Sequence, residues 1–188
     1  MLKRIPNILT ISRILIIPVV ILIMSFEQQD ALSSRAAAIL FAYACITDFL
    51  DGFLARLLKA RSHFGVALDP IADKLLIASI MIILVHYRRA DFLPAIAIVC
   101  REILVSGLRE FLAKLRVSVP VSGLAKLKTI IQMAAIFILV LGDEGSGFHA
   151  MNFIGRISLW IASALTLFTG YAYLKASYKY LLETKKEK

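Results

Sequence analysis

Six apolar stretches, most of them near the length that crosses a bilayer, restrict the fold of this 188-residue chain more than any other feature. They run roughly from Ile5 to Met24, Arg35 to Leu58, Pro70 to Val85, Phe92 to Leu112, Leu124 to Leu141 and Asn152 to Leu174. A hydrocarbon core ~30 Å thick takes ~20 residues of α-helix. Backbone in lipid must satisfy its own hydrogen bonds, which leaves helices rather than open strands. The expected fold is therefore all-α: one polytopic domain over residues 1–188 with six transmembrane helices, the last continuing to about Leu182. Hydrophobic residues make up 60% of the chain, against ~45–50% in ordinary globular sequences even with glycine counted, so composition argues against a soluble domain. The first stretch follows Lys3 and Arg4 as a signal peptide would. It is longer than the usual ~7–15-residue signal core, and no small-x-small site follows it, so it reads as a retained span.

The charge balance gives the orientation. The formal net charge is +9, from 22 Lys and Arg against 13 Asp and Glu. In a soluble protein that excess would suggest nucleic acid; in a membrane protein it reflects cytoplasmic loops and anionic head groups, and no nucleic-acid partner is expected. Lys3 and Arg4, Lys59 and Arg61, Lys114 and Arg116, Lys126 and Lys128, and Lys175, Lys179, Lys185, Lys186 and Lys188 fall on one set of ends. The alternate loops carry Glu27, Asp30, Asp143 and Glu144, opposed only by Arg35, Arg88 and Arg89. Both termini are thus expected in the cytoplasm, with residues 142–147, Gly-Asp-Glu-Gly-Ser-Gly, as a turn outside. Cys45 and Cys100 sit in apolar runs and read as small packing residues.

Ionisable side chains inside membrane segments are costly, and each is a functional hypothesis. Asp48 and Asp51 are three apart near the cytoplasmic end of the second stretch; Asp69 and Asp73 are four apart at the start of the third. Each spacing puts both acids on one helix face, and the short basic link between the stretches brings the pairs toward one membrane surface. Four such carboxylates would repel and partly protonate if left alone. A hard divalent cation removes the conflict, and an all-oxygen set suits Mg²⁺, Mn²⁺ or Ca²⁺ rather than Zn²⁺ or copper. Cations there could hold a pyrophosphate, and an aspartate not fully engaged by metal could take a proton from an alcohol. Gly52, Ala55 and Gly65 are small enough for a ligand or helix to approach closely, and Arg56 offers a planar fork for phosphate. Asp69-Pro70 reads as a helix cap with proline at the first helical position.

Asp48-x-x-Asp51-Gly52-x-x-Ala55-Arg56, followed by Gly65-x-x-x-Asp69-x-x-x-Asp73, resembles the full signature of the CDP-alcohol phosphotransferase family, with all eight positions filled. The resemblance implies six transmembrane helices, a homodimer, and a site on the cytoplasmic side of the inner membrane of a bacterium. It implies metal ligation by Asp48, Asp51, Asp69 and Asp73, with Asp73 as the general base for the acceptor hydroxyl. It also implies that Asp48, Gly52, Ala55, Arg56 and Gly65 meet CDP-diacylglycerol, Gly52 and Ala55 packing the cytidine and Arg56 contacting the phosphates. The expected cofactor is Mg²⁺ or Mn²⁺, as two divalent ions.

Three further segments resemble family members whose acceptor is glycerol 3-phosphate: residues 6–13 (Pro-Asn-Ile-Leu-Thr-Ile-Ser-Arg), residues 101–110, and Lys126-x-Lys128-Thr129-x-x-Gln132. The implied reaction joins CDP-diacylglycerol and sn-glycerol 3-phosphate to give phosphatidylglycerophosphate and CMP. A dianionic acceptor needs cations near the acids, and Arg101, Arg109, Lys126 and Lys128 are the candidates, each also explained by the positive-inside bias. Asn7 and Thr10 either cap the first helix or donate to the CDP phosphates. Rival readings are the same family with a cardiolipin-, serine- or inositol-phosphate-type reaction, a cation transporter, and a non-catalytic lipid-binding subunit. A transporter predicts acids spread through the bilayer depth, whereas these gather at one side.

Overall fold

The structure, a computed structural model, describes residues 5–25, 30–57, 63–115 and 123–186. Within them, the side chains of residues 5–10, 49–57, 63–67, 69, 179 and 181–186 fall outside the description. The described residues form six helices and no strand: α1 (Ile5–Ser25), α2 (Ala31–Leu57), α3 (His63–His86), α4 (Phe92–Lys114), α5 (Gly123–Ser146) and α6 (Met151–Lys186). Each apolar stretch became one helix. α5 is long and apolar enough to cross a membrane, as is α6 over Met151–Tyr178.

The helices pack as a closed ring: α1 on α2, α2 on α5, α5 on α6, α6 on α4, α4 on α3, and α3 back on α1. Ile17, Val20, Phe41, Ile80, Leu84, Ile98, Ile136 and Leu139 fill the interior, none more than 7% exposed. The outer surface is apolar as well. Leu22, Ile39, Ile82, Ile130 and Phe153 are all more than 60% exposed, whereas Arg13, Lys128 and Gln132 are fully buried. A water-soluble protein reverses that arrangement; lipid favours it, since charged side chains at membrane depth face the bundle interior.

Three local expectations are corrected. Asp69-Pro70 is not a helix start: α3 begins at His63 and carries Pro70 in its interior. The apolar run before Asp69 continues the helix, and proline inside a membrane helix is tolerated when neighbours compensate for the missing N–H. α2 begins at Ala31 rather than Arg35. Asp30 caps it, its Oδ1 accepting the Ser33 N–H at 2.9 Å while the Ser33 hydroxyl donates to the Asp30 carbonyl at 3.0 Å, and this polar first turn is invisible to hydropathy. The glycine-rich segment at 142–147 is not a simple turn. α5 breaks at Gly142 (φ 63°, ψ −175°) and a last helical piece runs on to Ser146.

Gly142 is required there twice over. Its φ lies in the left-handed region, and a Cβ would stand 2.9 Å from Arg89 Nη1. Arg89 occupies that space, donating to the carbonyl of Val140 at 3.0 Å and to Glu144 Oε2 at 2.7 Å. Arg35 Nε donates to the carbonyl of Gly145 at 2.7 Å. Two of the three arginines that oppose the charge bias are thus committed to the carbonyls of the broken helix end. Arg89→Met strands the buried carbonyl and Glu144, so a loss of about 2–3 kcal/mol is expected, read as a lower melting temperature in detergent with the acceptor KM unchanged.

Candidate functional site

Asp48 of α2 and Asp73 of α3 meet at Arg13 of α1. Arg13 is completely buried. Its Nη1 contacts Asp48 Oδ1 at 3.0 Å and also bonds Asp73 Oδ1. The two carboxylates remain 45% and 42% exposed, toward a cavity of about 450 Å³. Residues from α1 to α5 line it: Arg13, Asp48, Asp73, Glu102 and Gln132 give polar groups, and Cys45, Leu76, Ile77, Ile130 and Met133 an apolar wall. It is therefore open to a ligand with both a charged and an oily part.

A second cavity, of about 310 Å³, adjoins it. Asp73, Lys74 and Glu102 line both, and the second adds Arg101, Arg109, Pro70, Val105 and Ser106. Arg101 is held from two sides, with Nη1 3.4 Å from Glu102 Oε1 and Nη2 3.3 Å from Thr169 Oγ1. α6 approaches closely enough to do this because residue 170 is glycine; a Cβ there would lie 2.9 Å from Arg101 Cγ. Arg109 stacks over the Tyr173 ring at 5.7 Å.

The sequence candidates separate accordingly. Asp48 and Asp73 are brought together, as are Arg101 and Arg109. Lys128 lies behind them, 2% exposed and bonded to Glu102; Lys126 is exposed on the first turn of α5. Asp51, Gly52, Ala55 and Arg56 lie on α2, and Gly65 and Asp69 on α3 at four-residue spacing from Asp73. Their side chains are outside the description, as are those of Asn7 and Thr10. The helical backbone already begins at Ile5, so these two lie within α1 rather than at its cap position.

The profile of the CDP-alcohol phosphatidyltransferase family matches residues 3–168. This chain belongs to that family. It is 52% identical over 178 residues to the CDP-diacylglycerol–glycerol-3-phosphate 3-phosphatidyltransferase of Rickettsia felis, covering 95% of this chain and 97% of that one. The proteins of the same name from Pectobacterium atrosepticum (38% over 184 residues, 96% and 98% covered) and Pseudomonas fluorescens (40% over 183 residues, 95% and 92% covered) are also similar.

In this CDP-alcohol phosphatidyltransferase, the donor chemistry fits a hard divalent cation. Two carboxylates from different helices, nearly half exposed to the cavity, offer oxygen donors, and the single Arg13 guanidinium balances only one of their two charges. No cluster of three or more ligating side chains occurs among the described residues, which exclude the side chains of Asp51 and Asp69. Sequence reading missed Arg13, Lys74, Glu102 and Gln132 as site residues. Arg13 carried a usable signal, an arginine inside an apolar run. Glu102 and Gln132 fall in segments already singled out by resemblance, but what they face, like the place of Lys74, emerges only once α3, α4 and α5 are packed together.

Proposed function

We propose that this chain transfers the phosphatidyl group of CDP-diacylglycerol to sn-glycerol 3-phosphate, releasing CMP, as a step in phosphatidylglycerol synthesis. One observation carries this reading beyond the family: the cavity holding Asp48 and Asp73 adjoins a cavity lined by Lys74, Arg101 and Arg109. The first suits an amphipathic donor, the second a small phosphorylated acceptor, and Asp73 borders both. The acceptor's primary hydroxyl attacks the phosphatidyl phosphorus; an O–P bond forms, the bond to CMP breaks, and the hydroxyl proton passes to Asp73. Arg101 and Arg109 hold the acceptor phosphate, while Lys126 and Lys128 contribute field from further back. Asn7, Thr10, Gly52, Ala55, Arg56 and Gly65 bind CDP-diacylglycerol. Asp48, Asp51, Asp69 and Asp73 hold Mg²⁺ or Mn²⁺, two ions, which supply positive charge for the pyrophosphate.

All six helices span the inner membrane of a bacterium, both termini are cytoplasmic, and the enzyme is a homodimer. Support for the spans comes from the exposed apolar side chains on every helix. Two measurements test the proposal. Purified enzyme with both substrates is expected to release CMP with Mg²⁺ or Mn²⁺ and to stop in excess chelator; full activity in chelator contradicts the metal assignment. On a background lacking Cys45 and Cys100, Lys175→Cys is expected to react with an impermeant maleimide only from the cytoplasmic face, and Phe148→Cys only from the other. The reverse pattern overturns the orientation.

A further inference from the structure

Glu102 stands where an anionic acceptor must bind, and its charge calls for explanation. It lines both cavities. Lys128, itself 2% exposed, bonds its Oε1, and Arg101 Nη1 reaches the same oxygen at 3.4 Å. Among the described residues nothing bonds its Oε2. One turn along α5 from Lys128, Gln132 lines the first cavity; it is 2% exposed, and among the described residues its Oε1 has no hydrogen-bond partner. A buried polar atom without a partner is costly, and a buried ion pair is seldom favoured over an apolar pair of like volume. Both features make sense if a ligand completes them. Two acceptor oxygens beside three cations and a base describe a site for a molecule with a phosphate at one end and more than one hydroxyl.

We infer that Glu102, held by Lys128 and assisted by Gln132, is a specificity-determining residue that accepts a hydrogen bond from the secondary hydroxyl of the acceptor. This rests on the acceptor being glycerol 3-phosphate, and deepens that reading. The carboxylate repels the acceptor phosphate toward Arg101 and Arg109, which leaves the primary hydroxyl at Asp73. Sites built to bond a hydroxyl discriminate strongly against analogues that lack it.

The test compares sn-glycerol 3-phosphate with 3-hydroxypropyl phosphate, which lacks only the secondary hydroxyl. Wild-type kcat/KM is expected to favour glycerol 3-phosphate by about 10⁴-fold. In Glu102→Gln and Gln132→Leu that preference is expected to shrink at least tenfold, because kcat/KM falls further on glycerol 3-phosphate than on 3-hydroxypropyl phosphate. Melting in detergent shows which variant keeps its fold, and either suffices. An equal fall on both acceptors, or an unchanged preference, overturns the inference while leaving the proposed reaction intact. A wild type that does not use glycerol 3-phosphate at all overturns both.

Discussion

Asp73→Asn is expected to lower kcat by about 10³-fold, within the ~10²–10⁴ that a positioned general base contributes. Asparagine keeps the size of the side chain and one oxygen for Arg13 but cannot accept the acceptor's proton. CDP-diacylglycerol binding is expected to stay within a few-fold of wild type, because Asp48, Asp51 and Asp69 still hold metal for the pyrophosphate. Asp48→Asn differs: it leaves the base in place, so its loss should appear in donor affinity as well as in turnover. Parallel measurement of CMP release and of donor binding in mixed micelles separates the two. Wild-type turnover by Asp73→Asn would remove Asp73 as the base.

Arg13→Met is expected to give the second-largest loss, in both stability and rate. Arg13 is fully buried and bonded to two carboxylates from different helices. Removing one partner of a fully buried ion pair costs ~3–5 kcal/mol. Here both acids are nearly half exposed to the cavity, so water screens them and about 2–3 kcal/mol is expected. The melting temperature should fall by about 5–10 °C, at ~2–4 °C per kcal/mol for a chain of this size. Turnover should fall by about 10²-fold, because the base is no longer held toward the acceptor. Arg13→Lys keeps the charge without the fork, so intermediate values are expected. A variant with wild-type melting and rate would show that Arg13 neither ties α1 to the acids nor orients Asp73.

The helices and the acidic signature were readable in the sequence because both are local. Apolar runs of about twenty residues mark the helices directly, and the spacing of Asp48 and Asp51, or of Asp69 and Asp73, follows from 3.6 residues per turn. Helix starts were read less well. Asp30 with Ser33 starts α2 through polar residues that hydropathy counts against a span, and Pro70 looked like a start although α3 already runs through it. The acceptor region was only half legible. Arg101 and Arg109 were visible as cations on an apolar helix. That Lys128 turns inward to Glu102, leaving Lys126 outside, depends on how α4 and α5 pack. The arginines that broke the charge bias had no reading in sequence terms. Arg35 and Arg89 are explained by the carbonyls of the break at Gly142, which no periodicity announces.

Purified wild-type enzyme should be given radiolabelled CDP-diacylglycerol, Mg²⁺ and, in separate reactions, glycerol 3-phosphate, serine, inositol phosphate and phosphatidylglycerol. The predicted result is labelled phosphatidylglycerophosphate with glycerol 3-phosphate, and at most trace product with the other three. Efficient product from another acceptor, with none from glycerol 3-phosphate, would contradict it.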